Sequence, residues 1–159
     1  MKRRRITAAS LILVLALLSL SFKCGDGSNG GPAQQTDQVK QAAKAADDIA
    51  TTVNAMIKAK RDLLSSNLIT KDESNQLSKL LKKVNDADRM FYNRVKQLAQ
   101  FDATNKPNFA TLFTSVTSAI DELNTSGVLG IKNADAKSKL SAFIATINIA
   151  VVTIKALLQ

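Results

Sequence analysis

The sequence predicts an all-α protein: an antiparallel up-down four-helix bundle preceded by a signal or anchor helix and a flexible linker. Three observations lead there. Apolar residues recur at spacings of three and four over four separate stretches, the pattern of helices that bury one face. No stretch reads clearly as a strand, and there is no glycine-rich phosphate loop of the kind that follows one. The first two helical stretches are joined by only a few residues, which forces them to lie antiparallel as a hairpin. The domain division follows: 1–23 as signal peptide or N-terminal anchor, 24–35 as linker, and 36–159 as the bundle.

The chain starts with a cationic block, Lys2, Arg3, Arg4 and Arg5. Residues 6–22 carry no charge and are mostly Leu, Ile, Val and Ala. Lys23 and the single cysteine, Cys24, come next, followed by Gly25, Asp26, Gly27, Ser28, Asn29, Gly30 and Gly31. A positive start, an apolar run and a polar exit describe an export signal. This layout resembles the signal of bacterial lipoproteins, in which a peptidase cuts before a cysteine that carries the lipid. The resemblance covers about the first thirty residues and implies lipidation at Cys24, with the Gly/Asp/Ser/Asn stretch as tether. The family's box usually has a small residue before the cysteine, whereas here Phe22 and Lys23 precede it. Two other readings stay open. Ser19 and Ser21 have the spacing of an ordinary cleavage site before Phe22, which would release a soluble protein. Alternatively the segment is uncut and anchors the chain; 17 uncharged residues are at the short end of what spans a bilayer.

The first bundle helix is expected over 36–66, with Thr36 as N-cap. Its stripe is Val39, Ala42/Ala43, Ala46, Ile49/Ala50, Val53, Met56/Ile57, Lys60 and Leu63/Leu64. The second is expected over 70–101. Thr70-Lys71-Asp72-Glu73 is a capping box, and the stripe is Leu77, Leu80/Leu81, Val84, Ala87, Phe91, Val95, Leu98 and Phe101. Lys60 and Arg94 interrupt apolar stripes and are expected to snorkel at the bundle edge. The third helix is expected over 107–125, opened by Pro107 and stopped by Ser126-Gly127. The fourth is expected over 133–158, capped by Asn133. It is apolar on several faces, since Ala145, Ile149, Ala150 and Val152 lie off its main stripe. The expectation is a helix buried by the other three, with Asn148 fixing register from inside. The alternative is insertion in a bilayer, opposed by Asn148 and Lys155.

Composition narrows the chemistry. The chain has no histidine and no tryptophan. The usual base for a Ser or Cys nucleophile is therefore missing, and a Cys/His zinc site cannot be built. Asp86 and Asp88, with Asn85, diverge around a helix and cannot share an ion unaided. No catalytic residue, metal site or cofactor is expected. The net charge of +9 is concentrated at the start; from Cys24 onward 17 basic and 13 acidic residues leave +4. That is too little for a nucleic-acid surface, and the chain has one tyrosine and few other aromatics to stack on bases. On the second helix Lys79, Lys82 and Lys83, with Lys71 upstream, form a candidate basic patch for an anionic surface.

These features predict an exported, non-enzymatic bacterial cell-envelope protein on the periplasmic or surface face. It would be a lipid-tethered bundle with a structural or partner-binding role, secreted and soluble if cut before Phe22. The expected partners are a membrane, reached through the lipid or the N-terminal helix, and a protein or a second copy. The alternative function is membrane-active: a channel, lysis or toxin-like protein whose last helix inserts.

Overall fold

Apolar residues spaced three and four apart produce helices here because each helix can bury that stripe against another. The computed structural model describes residues 35–159. The expected signal or anchor, Cys24 and almost all of the linker lie outside the described residues. Among the described residues there are four α-helices and no strand. They are α1 (Asp37–Ser65), α2 (Lys71–Val95), α3 (Lys106–Glu122) and α4 (Ala134–Leu158). A single π-helical turn, Leu123–Val128, continues α3. Each helix packs on two others: α1 on α2 and α4, and α3 on α2 and α4.

The α1 seam is Val39, Ala42, Ala46, Ile49, Val53, Met56 and Leu63, all buried. Lys60 occupies the missing seam position. Its ammonium donates to the Ser78 hydroxyl on α2, which in turn donates to the Ser74 carbonyl at 2.8 Å. Partial burial, then the neighbouring Arg61, lowers the Lys60 pKa. At the other end the Thr36 amide donates to the Ala99 carbonyl at 2.8 Å. Residue 36 beside 99 and residue 60 beside 78 make α1 and α2 an antiparallel pair.

Their connection is a Schellman turn. The Leu68 amide donates to Leu63 at 2.9 Å and the Asn67 amide to Leu64 at 3.1 Å, the paired bonds of that motif. Asn67 sits at φ 55, the left-handed position that usually takes glycine. Asn enters this region more readily than most residues that carry a Cβ. Asn67→Ala should therefore lower stability by about 1 kcal/mol while Asn67→Gly does not. Urea unfolding of the two variants checks this, and equal losses would mean that the backbone strain is not what matters.

The second helix is shorter than the heptad pattern suggested. It ends at Val95, not near residue 101. Past Val95 the chain tightens, the Gln97 amide donating to the Arg94 carbonyl at 3.2 Å and the Leu98 amide to the Val95 carbonyl at 3.0 Å, and the turn before α3 is then organised by Asp102. Its Oδ1 accepts from the amides of Thr104 and Asn105, both at 2.9 Å, and Asn105 Oδ1 accepts from the Asp102 amide at 3.1 Å. Such local bonds compete with helix. Phe101 still reaches the core from this loop. Its ring centroid lies 5.4 Å from Phe109, and Phe91 lies 6.2 Å from Phe109 and 5.4 Å from Phe113. Four phenylalanines thus close the space between α2 and the start of α3.

The third helix does not stop abruptly at Ser126-Gly127. It widens into the π turn, with the Leu129 amide donating to Asn124 at 2.9 Å. The wider turn keeps Leu123, Gly127 and Val128 all buried. Gly127 serves close approach rather than a left-handed cap. A Cβ there would lie 3.0 Å from Leu80 Cδ1 and 3.2 Å from Leu77 Cδ2. Asn133 caps α4 as its position suggested, accepting from the Ala136 amide at 2.9 Å.

Two expectations about α4 are corrected. The helix is not covered on most sides: it buries Leu140, Ile144, Ile147, Ala150 and Ile154, but Ile149 is 71% and Val152 is 67% exposed. Among the described residues its helical neighbours are α1, α3 and the π turn that continues α3, and its opposite side is exposed. Asn148 is exposed, not interior, and cannot fix register from inside the core.

Candidate functional site

Polar residues that depart from the surface average are the places to look for chemistry. Four such places stand out among the described residues.

The first is the α2 lysine cluster. Lys71, Lys79, Lys82 and Lys83 are all exposed. Lys82 pairs with Asp86 one turn on, and Lys83 reaches across to Glu122 on α3. Exposed pairs of this kind are worth little energetically, but they offset half of the cluster's charge. The positive surface that remains is centred on Lys71 and Lys79.

The second is Glu73. The capping box forms as the spacing implied: the Glu73 amide donates to Thr70 Oγ1 at 3.2 Å and the Thr70 amide to Glu73 Oε2 at 2.6 Å. The other oxygen, Oε1, accepts from the Lys132 amide at 3.0 Å, ahead of α4. One carboxylate therefore ties the start of α2 to the loop that launches α4. The Thr70 amide, then the Lys132 amide, hold the Glu73 carboxyl below its ordinary value. Its bonds are fully present above that ordinary value, near pH 4.5, and fade as pH falls through the lowered one. Glu73→Ala should cost about 1–2 kcal/mol near neutral pH and less in acid. Thermal unfolding at both pH values reads the difference; the same loss in acid would remove the carboxylate's role.

The third is Asp88, and the sequence concealed it. Its heptad places Ala87 in the α2 stripe, whereas the seam actually runs Ser74, Leu77, Leu81, Val84, Asp88, Phe91, Val95. Asp88 is 2% exposed and its Oδ1 has no hydrogen-bond partner among the described residues. Burial, then repulsion from Asp47 on α1, raises its pKa from 3.8 to about 7. A carboxyl enclosed in this way has no open path to a substrate. Asp86, expected to diverge from Asp88 around the helix, is exposed and paired with Lys82. Among the described residues no group of three or more potential metal ligands forms.

The fourth is an open groove of about 330 Å³ where α2 ends and α3 begins, floored by Leu98, Phe109 and Leu112. Arg94 lies on its rim, exposed as expected of a snorkelling side chain, with its guanidinium donating to Gln97 at 3.4 Å. Tyr92 nearby is half-buried with the Lys96 ammonium 5.2 Å from its ring centre. Among the described residues no buried side-chain donor without a partner lies in this groove.

Comparison with known proteins adds no assignment: no family model matches the chain, and no curated protein and no solved structure is similar to it.

Proposed function

We propose that this is a non-enzymatic protein of the bacterial cell envelope. It is exported by its N-terminal signal and tethered through lipid on Cys24. Its antiparallel up-down four-helix bundle serves a structural or partner-binding role. The observation that carries the reading is the order cationic block, apolar run, Cys24 and polar glycine-rich stretch at the start of the chain. The special carboxylates support a non-catalytic bundle, since Glu73 is engaged by backbone amides and Asp88 is closed off. Within the α2 cluster, Lys71 and Lys79 are the side chains left for an acidic partner.

The test is intact mass with fractionation in a Gram-negative host, wild type beside Cys24→Ser. A mass matching cleavage before Cys24 plus lipid, lost in the variant, supports the tether. A soluble product beginning at Phe22, or an uncut chain in the membrane, overturns it.

The second reading, a membrane-active protein whose last helix inserts, draws on α4, which is long and apolar enough to cross a bilayer. Exposed Ile149 and Val152 favour it. Insertion would, however, strip Leu140, Ile144, Ile147 and Ile154 from their present core contacts. Retention of a Cys24→Ser chain in membranes through α4 is its expected signature.

A further inference from the structure

The outward surface of α4 differs from that of α1 and α2. Ala142, Ala145, Ile149, Val152 and Ala156 are exposed at spacings of three and four. They form a second apolar stripe opposite the one that packs into the core. No charged residue occurs over 140–154, nor over 107–120 in the neighbouring α3. The acidic side chains of the described helices are concentrated on α1 and α2; α4 has only Asp135, in its first turn.

The threonine hydroxyls on this side are already satisfied. Thr111, Thr114 and Thr117 on α3, and Thr146 and Thr153 on α4, donate to carbonyls of their own helices at 2.9–3.1 Å. Their methyl groups add apolar surface, and covering them costs few hydrogen bonds to water. Lysines border the apolar stripe. At 100° per residue Lys139 falls on one shoulder of α4, and Lys137 and Lys155 on the other. An apolar band bordered by long cationic side chains suits an anionic lipid surface: the band meets the acyl boundary while the ammonium groups reach headgroup phosphates. A second copy fits less well, because its α4 would bring three more lysines and only Asp135 to pair with them.

We infer that the α3–α4 side of the bundle, centred on Ile149 and Val152, rests flat on an anionic bilayer. The α1–α2 side, with Lys71 and Lys79, then faces away. The inference rests on the reading of the protein as one held at a membrane, and the experiment separates the two. The full chain carrying Cys24→Ser is labelled with an environment-sensitive fluorophore through Ile149→Cys. The same chain labelled through Lys79→Cys is the control, and a third through Ser118→Cys reports on α3. Each is mixed with phosphatidylcholine vesicles with and without one-third phosphatidylglycerol.

The expected result is a blue shift at 149 and 118 but not at 79. It is stronger with phosphatidylglycerol and quenched by nitroxides placed shallow in the bilayer. Changing Lys139 or Lys155 to Gln should weaken the lipid-dependent signal about fivefold each. Three results overturn the inference while the membrane reading stands. They are labels at 149 and 79 equally in water on chains that sediment with vesicles, a blue shift without lipid that grows with protein concentration, and quenching from the bilayer centre. A chain that does not sediment with vesicles and shows no shift also overturns the inference, and leaves the Cys24 tether to the mass measurement on the wild type.

Discussion

Replacing Asp88 by Asn raises stability by roughly 2–4 kcal/mol at about pH 8 and changes it little at about pH 4. The sign follows from where the proton is held. Burial, with Asp47 repulsion second, lifts the carboxyl from 3.8 to about 7 in the folded protein. The unfolded chain releases that proton near pH 4, and the folded chain keeps it until about pH 7. Over that window the unfolded state binds fewer protons, so stability falls as pH rises and then levels off. Roughly three pH units at about 1.4 kcal/mol each give a ceiling near 4 kcal/mol, which relaxation around the charge lowers. Asn keeps the shape and cannot ionise. Glu73 has the opposite sign and acts in more acid solution, so it does not mask the effect. Urea unfolding of both proteins across this range is the check. Parallel stability curves would mean that the Asp88 carboxyl titrates normally and that water reaches it.

The same residue shows where the sequence was readable and where it was not. The four apolar stripes follow from spacing alone, and so do the Thr70–Glu73 box and the Asn133 cap, because each depends on residues a turn apart. Asp88 lies on its helix at the spacing of the seam, but its charge argues for solvent. Only the partner helix shows that the seam runs through it. The end of α2 was hidden for the converse reason. Leu98 and Phe101 prolong the apolar pattern, while the chain past Val95 tightens into bonds three residues apart that spacing does not reveal. The π turn shows only in tertiary context, where it buries Gly127 so closely that a Cβ there would crowd Leu77 and Leu80. The outer face of α4 was ambiguous because apolar composition reads alike whether protein, lipid or solvent lies beyond it.

The largest loss from a single truncation is expected at Phe91. Phe91→Ala should lower stability by about 3–5 kcal/mol. The ring is fully buried and lies against Phe109 edge-on, with planes at 77°, and against Phe113 at 48°. Its removal takes away transfer energy, leaves a cavity and breaks two aromatic pairs, each worth about 0.5–1.5 kcal/mol beyond area. The surroundings cannot close the gap cheaply. Phe91 comes from α2, Phe109 and Phe113 from α3, and Phe101 from the loop between them, so collapse would have to move two helices together. Phe91→Leu keeps most of the volume and should cost about 1–1.5 kcal/mol. The ratio of the two losses is the informative quantity. Similar small losses would show that the aromatic group packs loosely and that the α2–α3 corner is held by the Asp102–Asn105 turn. A large gap between them places the hold in the rings, and the loop that delivers Phe101 should then lose hydrogen-exchange protection in the Ala variant before α1 or α4 does.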